Sequence, residues 1–181
     1  MPTSVRGKVA AAAELKASGT ALLERGEVAK AVVKYRTVFA YVDGLVQPGD
    51  SMTQYSAEVL SSAEAGEVSA LKNSVYLNLA LCYLKLGKAG KVVEVCDKAL
   101  ALDAEQAKAC FRKGSALISL KRFDEAKSSL LEAARLAPQD RAVRSELERW
   151  RSEHEAHVKA LRERDRAMFG GIFAGGESQR E

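Results

Sequence analysis

Apolar and small side chains recur along the chain at helical spacing, and the pattern itself repeats. The stretch YLNLALCYLKLGK matches CFRKGSALISLKR after a shift of 34 residues. The coincident positions pair Ala80 with Gly114, Tyr83 with Leu117, Leu86 with Leu120, Val92 with Ala126, Cys96 with Leu130, and Ala99 with Ala133. A repeat of this length predicts stacked helix pairs that leave a groove, because a single pair is too small to bury its own apolar face.

An earlier copy of the same pattern is centred on Gly19. The offsets that connect the two later copies also reach small or apolar residues here, namely Leu22, Gly26, Ala31, Tyr35 and Val38. This first copy is separated from the second by 27 extra residues, which contain Pro48 and Gly49. Proline followed by glycine predicts a turn, whereas the flanking residues remain compatible with helices. We therefore expect three helix pairs, with longer helices and a loop between the first pair and the second.

A further amphipathic segment follows Pro138, where a helix cannot continue. The segment is predicted to begin near Asp140, and its apolar positions are Val143, Leu147, Trp150, Val158 and Leu161. Such a stripe predicts a long helix that covers the open end of the stack and exposes a charged outer face. The pair before it is expected to start at a capping box formed by Asp103 and Gln106.

The predicted fold class is all-α, with three helix pairs in a right-handed solenoid and a long C-terminal capping helix. Residues 1–138 are assigned to the repeat domain, 139–169 to the capping helix, and 170–181 to a glycine-rich, flexible tail. Within the repeat domain, we place the repeats at 12–45, 73–106 and 107–140, with a helix extension and loop at 46–72.

Composition narrows the class of protein. The chain has 181 residues, 47% of them hydrophobic and 29% charged, which suffices for a buried core. Its net charge of +4 is smaller than a nucleic-acid-binding surface normally carries, and no apolar run is long enough to span a membrane. Cys82, Cys96 and Cys110 lie on apolar helix faces without a secretory signal, which indicates reduced, buried thiols. We therefore expect a cytoplasmic protein that binds neither nucleic acid nor membrane.

The pattern resembles the tetratricopeptide repeat (TPR) over about residues 12 to 138. The period, the small residues and Pro138 all fall where that family places them. Within the family, YLNLALCYLKL and EVCDKALALD are similar to the second repeat of the co-chaperone domain of large immunophilins, which also lengthens the helices before it. The segment RERDRAMFGGIF resembles the one that follows the last repeat there, with Phe169 in place of tyrosine and Ile172 in place of methionine.

This resemblance implies a carboxylate clamp for the extreme C-terminus of heat-shock chaperones, of the type Met-Glu-Glu-Val-Asp. The first repeat of such domains carries a lysine four residues before a polar residue. The second repeat carries an asparagine two residues before its small residue. The third carries a lysine and an arginine four residues apart. The corresponding residues of this chain are Lys16, Thr20, Asn78, Lys108 and Arg112, of which Thr20 replaces the asparagine found in many clamps.

The chemistry of these residue types fits such a ligand. A terminal aspartate presents two carboxylates, which need convergent cations and amide donors. Lys108 and Arg112 project from one side of a helix because they are four residues apart. Arginine offers a rigid fork and lysine a mobile point charge. Asn78 stands in an otherwise apolar run, where an unpaired buried amide is costly, so either a ligand or a structural hydrogen bond must explain it.

Two other groups of polar residues admit a functional interpretation. His154 and His157 have a spacing that can hold a metal ion, but without a third ligand a charged helix face is preferred, and no metal site or cofactor is expected. The basic stretch at Arg162, Arg164 and Arg166 alternates with Leu161, Met168 and Phe169. It is compatible with binding calmodulin or an acidic protein, although a charged helix end is the simpler interpretation.

The function expected from the resemblance is that of a non-catalytic co-chaperone or adaptor, whose partner is the acidic tail of a ninety- or seventy-kilodalton heat-shock protein. The sequence contains no nucleophile–base pair and no phosphate-binding loop, so no catalytic residues are assigned and we do not expect an enzyme. The alternative is a structural scaffold within a larger cytoskeletal or ciliary assembly. Dependence of binding on the free terminal carboxylate of the partner would discriminate between the two.

Overall fold

The computed structural model describes residues 4–52 and 59–174, with side chains as far as Met168. These residues form seven helices, numbered in chain order: α1 Val5–Glu24, α2 Val28–Val42, α3 Ser62–Lys85, α4 Ala89–Leu102, α5 Ala107–Ser119, α6 Phe123–Leu136 and α7 Arg141–Ala174. Helices α1 to α6 are three pairs, and α7 packs on the last pair. The predicted fold class is therefore confirmed.

The first helices of the three pairs form the inner layer of the solenoid. Helix α3 contacts both α1 and α5, whereas the second helices α2, α4 and α6 do not contact one another. Each second helix instead packs on its own partner, and α2 and α4 also pack on the first helix of the next pair. The first helices therefore lie closer together and line the concave side, as stacked helix pairs require.

Most of the repeat positions that coincide in the sequence form the core, whereas Leu86 and Leu120 remain 38% and 39% exposed. The small position is buried in all three copies, as Gly19, Ala80 and Gly114. Three further positions of the second helix are also fully buried in every copy, as Ala31, Val92 and Ala126; Tyr35, Cys96 and Leu130; and Val38, Ala99 and Ala133. The apolar stripe of each second helix is thus buried against its own first helix.

The turn inside each pair has the same backbone conformation. Gly26, Gly87 and Lys121 occupy equivalent positions and have φ angles of 80°, 66° and 58°. This left-handed conformation reverses the chain direction after the first helix, and glycine adopts it without a steric penalty. The third copy has Lys121, which carries a side chain, at this position. Its left-handed conformation costs about 1–2 kcal/mol relative to a right-handed one.

The insertion between the first and second pairs extends α3 and adds a loop. Helix α3 has 24 residues, against 13 in α5, and it begins with a capping box in which Ser61 and Glu64 bond to each other's backbone N–H. Leu45 and Leu60 are buried, and the Leu60 N–H donates to the Val46 carbonyl at 3.0 Å. The predicted turn at Pro48 and Gly49 is confirmed, since the Asp50 N–H donates to the Gln47 carbonyl at 3.2 Å.

Helix α7 closes the end of the stack. Val143 is buried against Cys110 and Ala133, and the Trp150 indole donates to the Phe123 carbonyl at 2.8 Å. The predicted stripe therefore packs on α5 and α6 through its N-terminal half. No described helix combines the length and apolar character needed to cross a bilayer.

Two predicted boundaries were wrong. Helix α5 begins at Ala107 without a side-chain cap, and Asp103 instead ends α4 and accepts a hydrogen bond from the Gln106 side chain at 2.9 Å. Helix α7 continues to Ala174, five residues beyond its predicted end at 169. A glycine inside a helix costs only about 1 kcal/mol relative to alanine, which a long helix tolerates. The remainder of the predicted tail, 175–181, and the side chains of Phe169 and Ile172 lie outside the described residues.

Candidate peptide-binding site

All five residues of the predicted clamp lie on the inner helices. Lys16 and Thr20 are one turn apart on α1, Asn78 lies on α3, and Lys108 and Arg112 are one turn apart on α5. Helix α3 contacts both α1 and α5, so the three groups lie on neighbouring helices of the layer that lines the concave groove. The fold therefore collects residues that are up to 96 positions apart in the sequence.

Thr20 and Asn78 are joined through a residue that the sequence analysis did not assign to the site. The fully buried Tyr35 of α2 places its hydroxyl 3.1 Å from Thr20 Oγ1 and 3.2 Å from Asn78 Nδ2. Thr20 Oγ1 also donates to the Lys16 carbonyl at 3.1 Å. Burial raises the pKa of the Tyr35 hydroxyl, so it stays protonated at neutral pH.

Tyr35 could have been recognised from the repeat alignment. Its equivalents in the other two copies are Cys96 and Leu130, both buried and without a strong hydrogen-bonding group. A hydroxyl at a core position of an apolar repeat needs hydrogen-bond partners, because burying it without any is costly. The alignment alone does not identify those partners, since Asn78 is 43 residues away.

Arg112 lies beside Asn78. Its Nη1 donates to the carbonyl oxygen of Leu77 at 2.6 Å, and the side chain is half-buried between α3 and α5. Burial lowers the pKa of Arg112, yet the guanidinium keeps its charge at neutral pH because its ordinary pKa exceeds 12. The bond to Leu77 uses one of five N–H donors and leaves the others for a ligand.

The cations of the groove have no acidic partners in the described part of the chain. No carboxylate there lies within 4.0 Å of Lys16, Lys108 or Arg112. By contrast, the neighbouring Lys113 pairs with Asp97 at 2.6 Å and thereby ties α5 to α4. The groove thus carries three positive charges that are not neutralised by the described residues, a field that attracts an anionic ligand.

A second depression adjoins the clamp where the extended α3 passes the α4–α5 turn. It has a volume of about 500 Å³, and Leu77 lies on its wall. The other lining residues are Gly66, Ser69, Ala70, Asn73, Ser74, Leu102, Asp103 and Gln106. Leu102 remains 41% exposed, and the buried Oδ1 of Asn73 has no hydrogen-bond partner among the described residues. This surface is large enough to accommodate an apolar side chain.

The other polar groups that the sequence singled out lie on α7. The rings of His154 and His157 pack on Phe123 with centroids 5.3 and 5.2 Å away, and His154 also stacks on Trp150. The described residues contain no group of three or more His, Cys, Asp or Glu side chains that could hold a metal ion. The basic stretch from Arg162 to Arg166 is exposed, and its binding to calmodulin or an acidic protein stays a prediction.

The fold and the groove define an α-helical repeat domain with an open concave face. Residues 74–106 and 107–140 match the family model described as Tetratricopeptide repeat. It is 31% identical over 172 residues to the peptidyl-prolyl cis-trans isomerase FKBP42 of Arabidopsis thaliana. That match covers 95% of this chain and 43% of the relative, so the chain spans less than half of that protein.

Solved structures give the same fold. The C-terminal TPR-containing domain of a Plasmodium falciparum FK506-binding protein superposes with a TM-score of 0.68 and 24% identity, covering 90% of this chain and 96% of that domain. The first TPR domain of Spaghetti (RPAP3), bound to the HSP90 peptide SRMEEVD, has a TM-score of 0.59 and 21% identity. The superposition covers 78% of this chain and 91% of the Spaghetti (RPAP3) domain. The chain thus has the fold of these TPR domains.

Proposed function

We propose that this chain is a non-catalytic adaptor that binds the acidic C-terminal peptide of a heat-shock chaperone of the ninety- or seventy-kilodalton class. The observation that carries the proposal is the unneutralised charge of Lys16, Lys108 and Arg112 on the two inner helices that flank the helix of Asn78. A C-terminal aspartate supplies two carboxylates to such a set. The similarity to the Spaghetti (RPAP3) domain that binds SRMEEVD supports the same ligand class.

In this mechanism the terminal carboxylates bind between α3 and α5. Arg112 is held by the Leu77 carbonyl, so its remaining N–H groups are already oriented when the peptide arrives. Lys16 and Lys108 contribute mobile charges from either side. Charge-assisted hydrogen bonds are worth about 1.5–3 kcal/mol each, and ordering an extended peptide offsets part of that gain. We therefore expect a dissociation constant in the micromolar range, which corresponds to a binding free energy of about −8 kcal/mol.

The proposal includes a second contact and a cellular location. The depression lined by Leu77 and Leu102 takes an apolar side chain upstream of the terminal aspartate, which adds hydrophobic area to the charged contacts. Heat-shock chaperones of these classes and the reduced, buried thiols of this chain are both consistent with a cytoplasmic adaptor. The chain is proposed to position its partner without chemical change.

Single substitutions test the clamp. Alanine at Lys16, Asn78, Lys108 or Arg112 is expected to weaken binding of a labelled Met-Glu-Glu-Val-Asp peptide about tenfold each, the equivalent of about 1.4 kcal/mol. The matched control is Lys34→Ala, which removes an exposed lysine from the outer helix α2 and should leave the affinity unchanged. Fluorescence anisotropy titrations measure both. Equal effects of the clamp and control substitutions would reject the site and favour a scaffold that uses another surface.

A further inference from the structure

The Asn78 side chain is the end of a hydrogen-bonded chain that crosses the first three helices. Asn78 Nδ2 lies 3.2 Å from Tyr35 Oη, which lies 3.1 Å from Thr20 Oγ1, which lies 3.1 Å from the Lys16 carbonyl. The chain therefore links a clamp residue of the second repeat to two clamp positions of the first. Its middle member, Tyr35, belongs to an outer helix and is fully buried.

Counting hydrogens fixes the direction of every bond in this chain. A hydroxyl group has a single hydrogen, and the Thr20 hydroxyl donates it to the Lys16 carbonyl. Tyr35 must therefore donate to Thr20, which leaves only the lone pairs of its oxygen for Asn78. An amide nitrogen can only donate, so the Asn78 Nδ2 donates to Tyr35, as the geometry requires.

This direction has two consequences for a bound carboxylate. One amide hydrogen of Asn78 is engaged by Tyr35, and the side chain makes no other hydrogen bond to a described residue, so its second hydrogen is available. Thr20, in contrast, has no hydrogen left to donate. A carboxylate accepts hydrogen bonds only, so the threonine hydroxyl offers it nothing in this arrangement.

We propose that Tyr35 is a positioning residue of the peptide site: its hydroxyl orients Asn78 so that the second amide hydrogen meets the ligand carboxylate, with Thr20 anchoring Tyr35. The proposal rests on the peptide-binding function proposed above. It assigns Thr20 a supporting role and leaves Lys16, Asn78, Lys108 and Arg112 as the direct contacts.

The packing around Tyr35 requires an aromatic ring but does not require its hydroxyl group. The ring fills the space beside Gly19, where a Cβ would lie 2.8 Å from the Tyr35 Cε1 atom. Phenylalanine would fill the same space without a buried hydroxyl to satisfy. Among the described residues, the hydroxyl forms hydrogen bonds with Thr20 and Asn78 alone, so its partners are the two clamp positions themselves.

A double-mutant cycle tests the inference. The binding of a free-acid Met-Glu-Glu-Val-Asp peptide is measured by isothermal titration calorimetry for the wild type, Tyr35→Phe, Asn78→Ala and the double variant. Tyr35→Phe is expected to weaken binding about fivefold in the wild type and less than twofold in the Asn78→Ala background, because the hydroxyl acts through Asn78. Thermal unfolding of each variant shows whether the fold is retained.

A second pair of variants keeps the test decisive if Tyr35→Phe fails to fold. Thr20→Ser retains the hydroxyl and should bind as the wild type, whereas Thr20→Val removes the anchor and should weaken binding. In the Asn78→Ala background the effect of Thr20→Val should vanish. If Thr20 contacted the peptide directly, Thr20→Val would weaken peptide binding by the same factor in both backgrounds. That result would overturn the proposal.

The outcomes separate this inference from the function on which it rests. If the wild type does not bind the peptide, the proposed function fails and the positioning role fails with it. If the wild type binds, but Tyr35→Phe binds equally well or loses the same factor in both backgrounds, the role of Tyr35 is refuted while the peptide function stands. Weakening by Tyr35→Phe that disappears with Asn78→Ala supports both.

Discussion

Single atoms decide the packing at the small position of each repeat. At Gly114, an added Cβ would lie 2.6 Å from Leu130 Cγ and 2.7 Å from its Cδ2, both in the buried interface of α5 and α6. At Gly19, it would meet the Tyr35 ring. The second copy accommodates Ala80 at this position, so the restriction comes from the facing residue, which is the smaller Cys96 there.

Gly114→Ala is therefore expected to destabilise the protein by about 1–3 kcal/mol, because the overpacked Leu130 must leave its rotamer. The matched control is Gly66→Ala in α3, where nothing lies within 4 Å of the added Cβ and the higher helix propensity of alanine should stabilise by up to about 1 kcal/mol. Urea unfolding measures both. A Gly114→Ala protein as stable as the wild type would contradict the packing described.

The buried thiols make stability depend on pH in the alkaline range. Burial raises the pKa of Cys82 to about 11 and that of Cys96 to about 12, from an ordinary value of 9.0. Above pH 9 the unfolded chain releases these protons while the folded chain keeps them, so the unfolded state binds fewer protons and stability falls as pH rises. The melting temperature should decrease between pH 9 and 11, and less steeply in Cys82→Ala/Cys96→Ala. An unchanged slope in that variant would show that other groups cause the decrease.

A polar residue followed three positions later by Glu or Gln precedes both α3 and α5, but the pattern forms a capping box only at α3. Ser61 and Glu64 form a capping box at the start of α3, whereas Asp103 and Gln106 do not form one at α5. The difference is where the helix begins: Ser61 directly precedes α3, while α5 starts four residues after Asp103. That start depends on the turn from α4, which is a tertiary feature and is not encoded in the four residues.

Ser61→Ala is expected to lower the melting temperature by about 2–4 °C, because the first turn of α3 loses its side-chain cap. Ser62→Ala, one residue later inside the helix, should change it little. Peptide affinity should remain unchanged in both variants, since Asn78 lies more than four turns away along α3. Equal melting temperatures for the two variants would argue against the capping box.

For the whole molecule, the repeat period predicted more than any local motif. The repeated pattern, with its 34-residue period and its earlier copy at Gly19, predicted the three helix pairs and the small and apolar positions buried in all of them. The burial of Leu45 and Leu60 could not be predicted in the same way, because these two residues have no counterpart in the other copies. The bond between Tyr35 and Asn78 was missed for a related reason, since it joins residues 43 positions apart on helices of two different repeats.

For the whole molecule, we expect the positive charge of the inner helices to select a ligand with a free terminal carboxylate. Calorimetric titration of the wild-type protein with Met-Glu-Glu-Val-Asp, as the free acid and as the C-terminal amide, tests it most directly. We expect micromolar binding of the free-acid peptide and at least tenfold weaker binding of the amide peptide, because the amide lacks one of the two terminal carboxylates. Equal affinity for the acid and the amide, or no binding of either to the folded protein, would contradict it.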